Sequence, residues 1–314
     1  MSAYLARRVL ALFPVMLIVA AVSFVLLHLT PGDPANILLG PDAAPEAVAR
    51  LRAELGLDAP LVAQFARFVL RLARGDLGRS IFFQAPVAQV LWNHLEPTVL
   101  LGMLAISVAV AIGVPAGVSA AVHHGRARDQ LYMGLALMGV SIPEFWLSLN
   151  LIWIFAVGLR WLPVAGYLSP REAGLAALRH LILPAVAMGF VQSALIARMT
   201  RAAALEALSQ DYIRTARAKG ASERAVIYRH LLKNAMVNVI TVIGISFSIM
   251  VGGNLAVETI FAIPGLGQLL ISSVLRRDYP VIQGIVLLFT ASYVLVNLLV
   301  DLAYAWIDPR IRYA

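Results

Sequence analysis

The chain has 314 residues, of which 61% are hydrophobic and 13% are charged, and its net charge is +8. Soluble domains carry about 25% charged residues, so this composition excludes a soluble domain and predicts an integral membrane protein. The absence of cysteine excludes disulfides and thiolate metal sites.

Six apolar runs are long enough to cross a membrane, since a spanning helix needs about 20 mostly apolar residues. Lipid offers no partners to unpaired backbone groups, so each run is predicted to be helical and the fold class to be all-α. The first run is longer than the apolar core of a signal peptide, and we expect it to stay as a span. The third of these runs is interrupted by Pro143-Glu144. The predicted transmembrane helices are residues 9–29, 98–122, 131–159, 181–197, 235–257 and 281–300.

The segment after the first span, residues 31–96, has a pattern of its own. "PEAVARLRAELG" and "APLVAQFARFVLRLARG" each place apolar residues on one helical face. They predict two short amphipathic helices, which either lie on the membrane surface or form a cap over the spans. Their arginines are a solvated face or a seat for an outside partner.

Two further loops carry turn signals. Residues 160–180 combine Pro, Gly and a short helical tail. Residues 258–280 contain a Pro-Gly turn and then Leu266, Leu269, Leu270 and Val274 at helical spacing, which predicts a segment that dips into the membrane or lies flat on it before the last span.

The basic residues indicate orientation. With the N-terminus inside, the inside segments hold 14 Lys and Arg residues and the short outside loops hold 5. Basic residues favour the cytoplasmic side, which predicts N-in and C-in. The excess of positive charge then reflects topology, and we expect no nucleic-acid partner.

Residues 201–234, called the polar loop below, interrupt this apolar sequence. Residues 202–219 are predicted to form a helix that ends at Gly220, a residue that tolerates a left-handed backbone. Ser222 suits the N-cap of a second helix. The result is a helix-turn-helix, which either docks into a soluble partner and transmits its movement or binds anionic lipid.

The stretch "EALSQDYIRTARAKGASERAVIYRHLLKN" at 206–234 resembles the EAA loop of binding-protein-dependent ABC importer permeases, in particular the first permease of the dipeptide, oligopeptide and nickel group. The resemblance covers nearly the whole chain. Its other segments are "LTPGDPA" at 29–35, "LGLDAPLVAQF" at 55–65, "GDLGRS" at 75–80, "SIPEFWLSL" at 141–149, "WLPVAGY" at 161–167 and "VETIFAIPGLGQLLISSVLRRDYPVIQG" at 257–284.

The resemblance implies a type I ABC importer permease (MetI-like) fold in the bacterial inner membrane. Its parts would be a first helix at 1–30, an extracytoplasmic insertion at 31–96, a core of five spans at 97–306 and a cytoplasmic tail at 307–314. The implied partners are a second homologous permease, one or two ATPase subunits, an extracytoplasmic solute-binding protein and membrane lipid.

The resemblance also implies a set of ATPase-coupling residues in the polar loop. Two positions depart from the family pattern: Leu208 replaces an alanine, and Asn238 replaces a proline, so the kink of the fifth span is in doubt while the docking role is not. The implied coupling residues are Glu206, Ala207, Asp211, Arg214, Ala216, Arg217, Lys219, Gly220, Ala221 and Ser222.

The chain lacks the sequence of a motor. A P-loop needs G-x-x-x-x-G-K-[ST], and neither Lys219 nor Lys233 follows such a run. We therefore expect no enzyme activity and no cofactor in this chain, with ATP and magnesium bound by a partner. We also expect no metal site.

Glu144 and Asn254 are the candidate residues of a translocation path. An acid inside a span is costly and is a functional suspect. Structural alternatives are an acid that caps the helix break at Pro143 and an amide that joins two helices.

Three functions are open to a membrane protein with this sequence. The first is an ABC importer permease, most simply for peptides, with nickel, glutathione and other small solutes open. The second is a proton-coupled secondary transporter that uses Glu144 as its relay. The third is an intramembrane or membrane-anchored enzyme, but the sequence has no H-E-x-x-H or G-x-S-x-G motif and no paired aspartates inside the predicted spans.

Overall fold

The computed structural model describes residues 2–29, 39, 44–55, 57–252 and 254–307, and its regular structure there is helical apart from one β-bridge. Contacts divide the chain into two units, one formed by Met1–Glu96 with Gln268–Ala291 and the other by Pro97–Gly267 with Ser292–Ala314. The helices are α1 (Ser2–Leu29), α2 (Pro45–Leu55), α3 (Leu61–Ala73), α4 (Val87–Val122), α5 (Ala127–Ser141), α6 (Glu144–Gly158), α7 (Pro170–Ala173), α8 (Leu178–Leu208), α9 (Asp211–Ala218), α10 (Glu223–Val251), α11 (Leu255–Ile260), α12 (Leu266–Leu275) and α13 (Tyr279–Ile307).

The first unit contains both amphipathic helices, and the prediction of α2 and α3 is confirmed. The residue expected to stop α2, Gly56, lies outside the described residues. α3 packs its apolar face on α1, because the ring of Phe24 lies 5.4 Å from that of Phe65 and 5.8 Å from that of Phe68. These contacts favour the cap over a free surface helix.

A buried carboxylate connects the two chain segments of the first unit. Asp278 is fully buried and accepts hydrogen bonds from the Ser80 hydroxyl and from the backbone N–H groups of Ile81 (3.1 Å) and Phe82 (3.1 Å). Next to it, the Arg276 guanidinium lies 3.6 Å above the centre of the Phe82 ring. The segment after α3 is therefore fixed to the turn that precedes α13.

In the second unit, α8 is the central helix. It packs against α5, α6, α10 and α11. Of the residues in the most apolar stretch of α8, 61% are buried, compared with 17% in the corresponding stretch of α13. Its residues Leu181, Met188 and Ile196 are part of the main hydrophobic core.

The structure confirms the interruption of the third predicted span, 131–159, and corrects the length of the fourth. The third is broken where the sequence has Pro143-Glu144, and α5 and α6 meet there at an angle of 97°. Ile142 is extended at the break, as expected for a residue before proline, and Pro143 has no N–H to continue the helix. The fourth, 181–197, is too short, because α8 continues through the alanines of the polar loop to Leu208.

Among the described residues, four helices are long and apolar enough to cross a membrane, and the bent pair α5–α6 makes five. The apolar helix Phe13–Leu26 in α1 is shorter than these and is not among them. The count of six spans and the N-in, C-in orientation therefore stay predictions. α10 runs without a break through Asn238, the position where the family pattern has proline.

Candidate functional site

The polar loop is a helix-turn-helix, but its first helix is not continuous. The sequence predicts one helix over 202–219, whereas α8 ends at Leu208 and α9 begins at Asp211. The Ser209 hydroxyl donates to the Glu206 carbonyl (2.7 Å), a local bond that competes with helix continuation. Gln210 is extended, and Asp211 then places a negative charge in the first turn of α9, where the helix dipole favours it.

The turn between α9 and α10 is built as predicted. Gly220 has a φ of +81°, and the Ala221 N–H donates to the Ala216 carbonyl at 3.2 Å, the pattern of a glycine-terminated helix. The Ser222 hydroxyl accepts from the Ala225 N–H at 3.3 Å and caps α10.

An ion pair closes this turn on its exposed side. The Arg217 guanidinium donates to both oxygens of Glu223, at 2.8 and 3.1 Å. These bonds raise the pKa of Arg217 above its ordinary value, so the guanidinium stays charged. Because both side chains are about half exposed, the pair contributes mainly to the geometry of the turn.

The implied coupling residues fall into two groups. Ala207 and Ala216 are buried in a cluster with Ile213, Val226 and Leu231, so they pack the interior of the loop. The exposed group, which is available for docking, is Glu206, Asp211, Arg214, Arg217, Lys219, Gly220 and Ser222. Ala221 is partly buried.

The loop is also attached to the end of α4. Ala121 of α4 is a member of the same buried cluster, and Val118 packs against it. Higher up, α4 and α8 are in backbone contact: a Cβ on Gly117 would lie 2.5 Å from the Ala197 carbonyl oxygen and 2.6 Å from the Thr200 Cβ. The loop therefore packs against the end of α4, and α4 in turn packs closely against α8.

A buried ion pair, which the sequence did not reveal, joins α5 to α8 close to the loop. Asp129 is only 4% exposed. The Arg201 guanidinium donates to both its oxygens, at 2.6 and 2.7 Å, and the Gly125 N–H donates at 3.0 Å. The Nδ1 atom of His124 lies 3.2 Å from the same carboxylate, within hydrogen-bonding distance.

The two candidate path residues meet. The Asn254 side-chain amide donates to the Glu144 carboxylate at 2.6 Å. Glu144 begins α6 directly after the break at Pro143, and Asn254 precedes α11, which packs against α6. The pair thus lies where two helices begin, and a change of protonation or of ligand there would act on both.

A second buried acid was also missed. Glu258 is 1% exposed, and the Thr98 hydroxyl donates to it at 2.7 Å. Thr98 in turn accepts from the Leu266 N–H at 2.8 Å. A Cβ on Gly265 would collide with the Glu258 carboxylate, so this loop folds tightly around the acid. An acid inside "AVETIFAIPG" was the available signal.

Comparison with protein families gives two matches that together cover most of the chain. Residues 113–313 match the family described as binding-protein-dependent transport system inner membrane component. Residues 1–101 match the N-terminal family of such membrane components.

Several curated proteins are similar over their full length. A probable peptide ABC transporter permease protein, y4tP of Sinorhizobium fredii, is 46% identical over 313 residues, with 100% of both chains covered. The dipeptide transport system permease protein DppB of Alkalihalophilus pseudofirmus is 42% identical, with 100% of both chains covered. The glutathione transport system permease protein GsiC of Salmonella paratyphi A is 44% identical, with 99% of both covered.

Among solved structures, the MetNI methionine ABC transporter in inward-facing conformations matches with a TM-score of 0.57 and 21% identity. The match covers 70% of this chain and 97% of that one. An amino acid ABC transporter matches with a TM-score of 0.51 and 17% identity, covering 70% and 94%. At these identities the likeness shows the fold alone.

Proposed function

Because this chain belongs to the binding-protein-dependent transport system inner membrane component family, and within it to the dipeptide and oligopeptide group of ABC importer permeases, we propose that it imports di- or oligopeptides. It is a multi-pass protein of the bacterial inner membrane. In the proposal it crosses the membrane six times, with both termini in the cytoplasm.

The proposed assembly contains a second, homologous permease, one or two ATPase subunits and an extracytoplasmic solute-binding protein. ATP and magnesium are assigned to the ATPases, since this sequence has no P-loop. The substrate class rests on the printed names of relatives, which include a peptide, a dipeptide and a glutathione permease. A glutathione or nickel substrate is the alternative within the same function.

The observation that carries the coupling proposal is the construction of the polar loop. It is a packed body with a polar outer face, and its buried cluster includes the end of α4. In the proposal, ATP-driven closure of the ATPases moves the exposed turn, and the loop passes this movement to α4 and α8. The Asp129–Arg201 pair extends the same movement to α5.

Gly220→Trp tests this proposal. We expect the tagged variant to lose copurifying ATPase about tenfold in mild detergent, because the side chain is bulky and the φ of +81° disfavours any side chain. The measurement is mass spectrometry of the copurified partners, together with peptide uptake by cells.

Two controls accompany this test. Gly75→Trp introduces the same side chain at a φ of +76° in another loop and should keep the ATPase. Gly220→Asn should keep much of it, since asparagine tolerates a left-handed backbone. If Gly220→Trp retains wild-type amounts of ATPase, the turn is not the coupling element.

Glu144→Gln separates the importer from the proton-coupled transporter. Glutamine keeps an oxygen that accepts from Asn254 but carries no proton at the oxygen, so a relay is lost while the hydrogen bond stays. For the importer we expect uptake within about twofold of wild type. Uptake that disappears in the variant, yet continues in wild-type cells lacking the ATPases, would establish the secondary transporter instead.

A further inference from the structure

A groove of about 450 Å³ lies within the first unit, between α1 and the start of α13. On α1 it is lined by one stripe, Ile18, Val19, Val22, Ser23 and Leu26, at the i, i+4, i+8 spacing of a helix face. Ile18, Val22 and Leu26 are 62%, 52% and 59% exposed. The groove is therefore open and its floor is almost entirely apolar.

The other wall ends in polar groups. Ile282 and Val286 continue the apolar lining along α13, and Arg277, Tyr279 and Gln283 lie toward its N-terminal end. The Tyr279 hydroxyl is buried without a hydrogen-bond partner in the described part of the chain. Burying a hydroxyl without a partner is unfavourable, so this atom points to a polar ligand group that completes it.

The two neighbouring arginines differ in role. Arg276 stacks on the Phe82 ring and does not line the groove, whereas Arg277 lines it and is exposed. The groove thus combines an apolar trough with one cationic group and one hydroxyl at the same end. This lining fits an amphiphile that has an anionic head group.

We propose that this groove is a binding site for an anionic phospholipid, with one acyl chain along α1 and the phosphate at Arg277 and the Tyr279 hydroxyl. The bilayer around a bacterial inner-membrane protein contains anionic phospholipids in excess over the protein. A basic group near anionic lipid contributes about 1 kcal/mol, which corresponds to about a fivefold preference over a zwitterionic lipid. The site is independent of the substrate and of the coupling loop.

Native mass spectrometry of the delipidated full chain, with its copurifying subunits, tests the site. The probes are phosphatidylglycerol and phosphatidylcholine with identical acyl chains, and the readout is the dissociation constant of the first bound lipid. Wild type should bind phosphatidylglycerol about fivefold more tightly. Arg277→Gln should abolish that preference, and Arg276→Gln, which removes the same charge one residue away, should keep it.

Val22→Trp provides a second test that does not depend on the arginine. The indole fills the trough, so both lipids should bind more weakly by the same factor, and the ratio of their dissociation constants should stay near that of wild type. Three outcomes overturn the proposal: equal affinity of wild type for both lipids, an equal loss in Arg276→Gln and Arg277→Gln, or unchanged lipid binding in Val22→Trp.

Discussion

Gly117→Leu is expected to remove most of the folded chain from the membrane. A Cβ at this position would lie 2.5 Å from the Ala197 carbonyl oxygen, 2.6 Å from the Thr200 Cβ and 3.0 Å from the Arg201 nitrogen. Two of these atoms belong to the backbone of α8 and cannot rotate away. Separating two packed helices costs more than repacking a side chain, and we expect about 3 kcal/mol or more.

Gly134→Leu is the matched control for this variant. Gly134 is also a helical glycine, in α5, but a Cβ there meets nothing within 4 Å. The same substitution should therefore leave the expression level unchanged. The free energy of unfolding in detergent should stay within about 1 kcal/mol of wild type. Similar losses in both variants would show that membrane insertion, and not the α4–α8 contact, limits the folded yield.

Asp129→Asn is expected to destabilise the protein by about 3 kcal/mol, because it leaves the Arg201 guanidinium without its carboxylate. The Asp129 side chain is 6% exposed and that of Arg201 is 25% exposed, so water replaces the lost bonds only in part. Thermal unfolding in detergent, followed by tryptophan fluorescence, should show a midpoint lower by about 6 °C or more.

Asp58→Asn is the control for Asp129→Asn. Asp58 also pairs with an arginine, Arg52, at 3.0 Å, but the two side chains are 59% and 39% exposed. An exposed pair contributes at most about 1 kcal/mol, so this midpoint should hardly move. Arg201→Gln combined with Asp129→Asn should cost less than the sum of the single changes, and strict additivity would contradict a direct pair.

Both predictions concern contacts of α8, and both bear on the proposed coupling. Gly117 lets α4 approach α8. Asp129 joins α5 to Arg201 of α8, and Arg201 lies only five residues before Glu206. These contacts make the polar loop and three helices one packed body. Partial loosening of either contact should therefore reduce transport before it removes the protein from the membrane.

Local sequence determined a large part of this protein. Composition and the length of the apolar runs predicted a helical membrane protein, since backbone groups within lipid must be paired inside each span. The turn at Gly220 and the cap at Ser222 followed from backbone preferences that act within a few residues. The same holds for α2, α3 and α12, whose apolar spacing defines a helix face without knowledge of its neighbours.

Tertiary structure decided which polar groups are paired. Asp129 and Arg201 are separated by 72 residues, Glu144 and Asn254 by 110, and Glu258 and Thr98 by 160. Nothing within one helical turn of these residues indicates their partners, because a pair depends on which helices are neighbours. Gly117 and Gly134 make the same point: both are glycines in helices, and only the position of α8 makes the first indispensable.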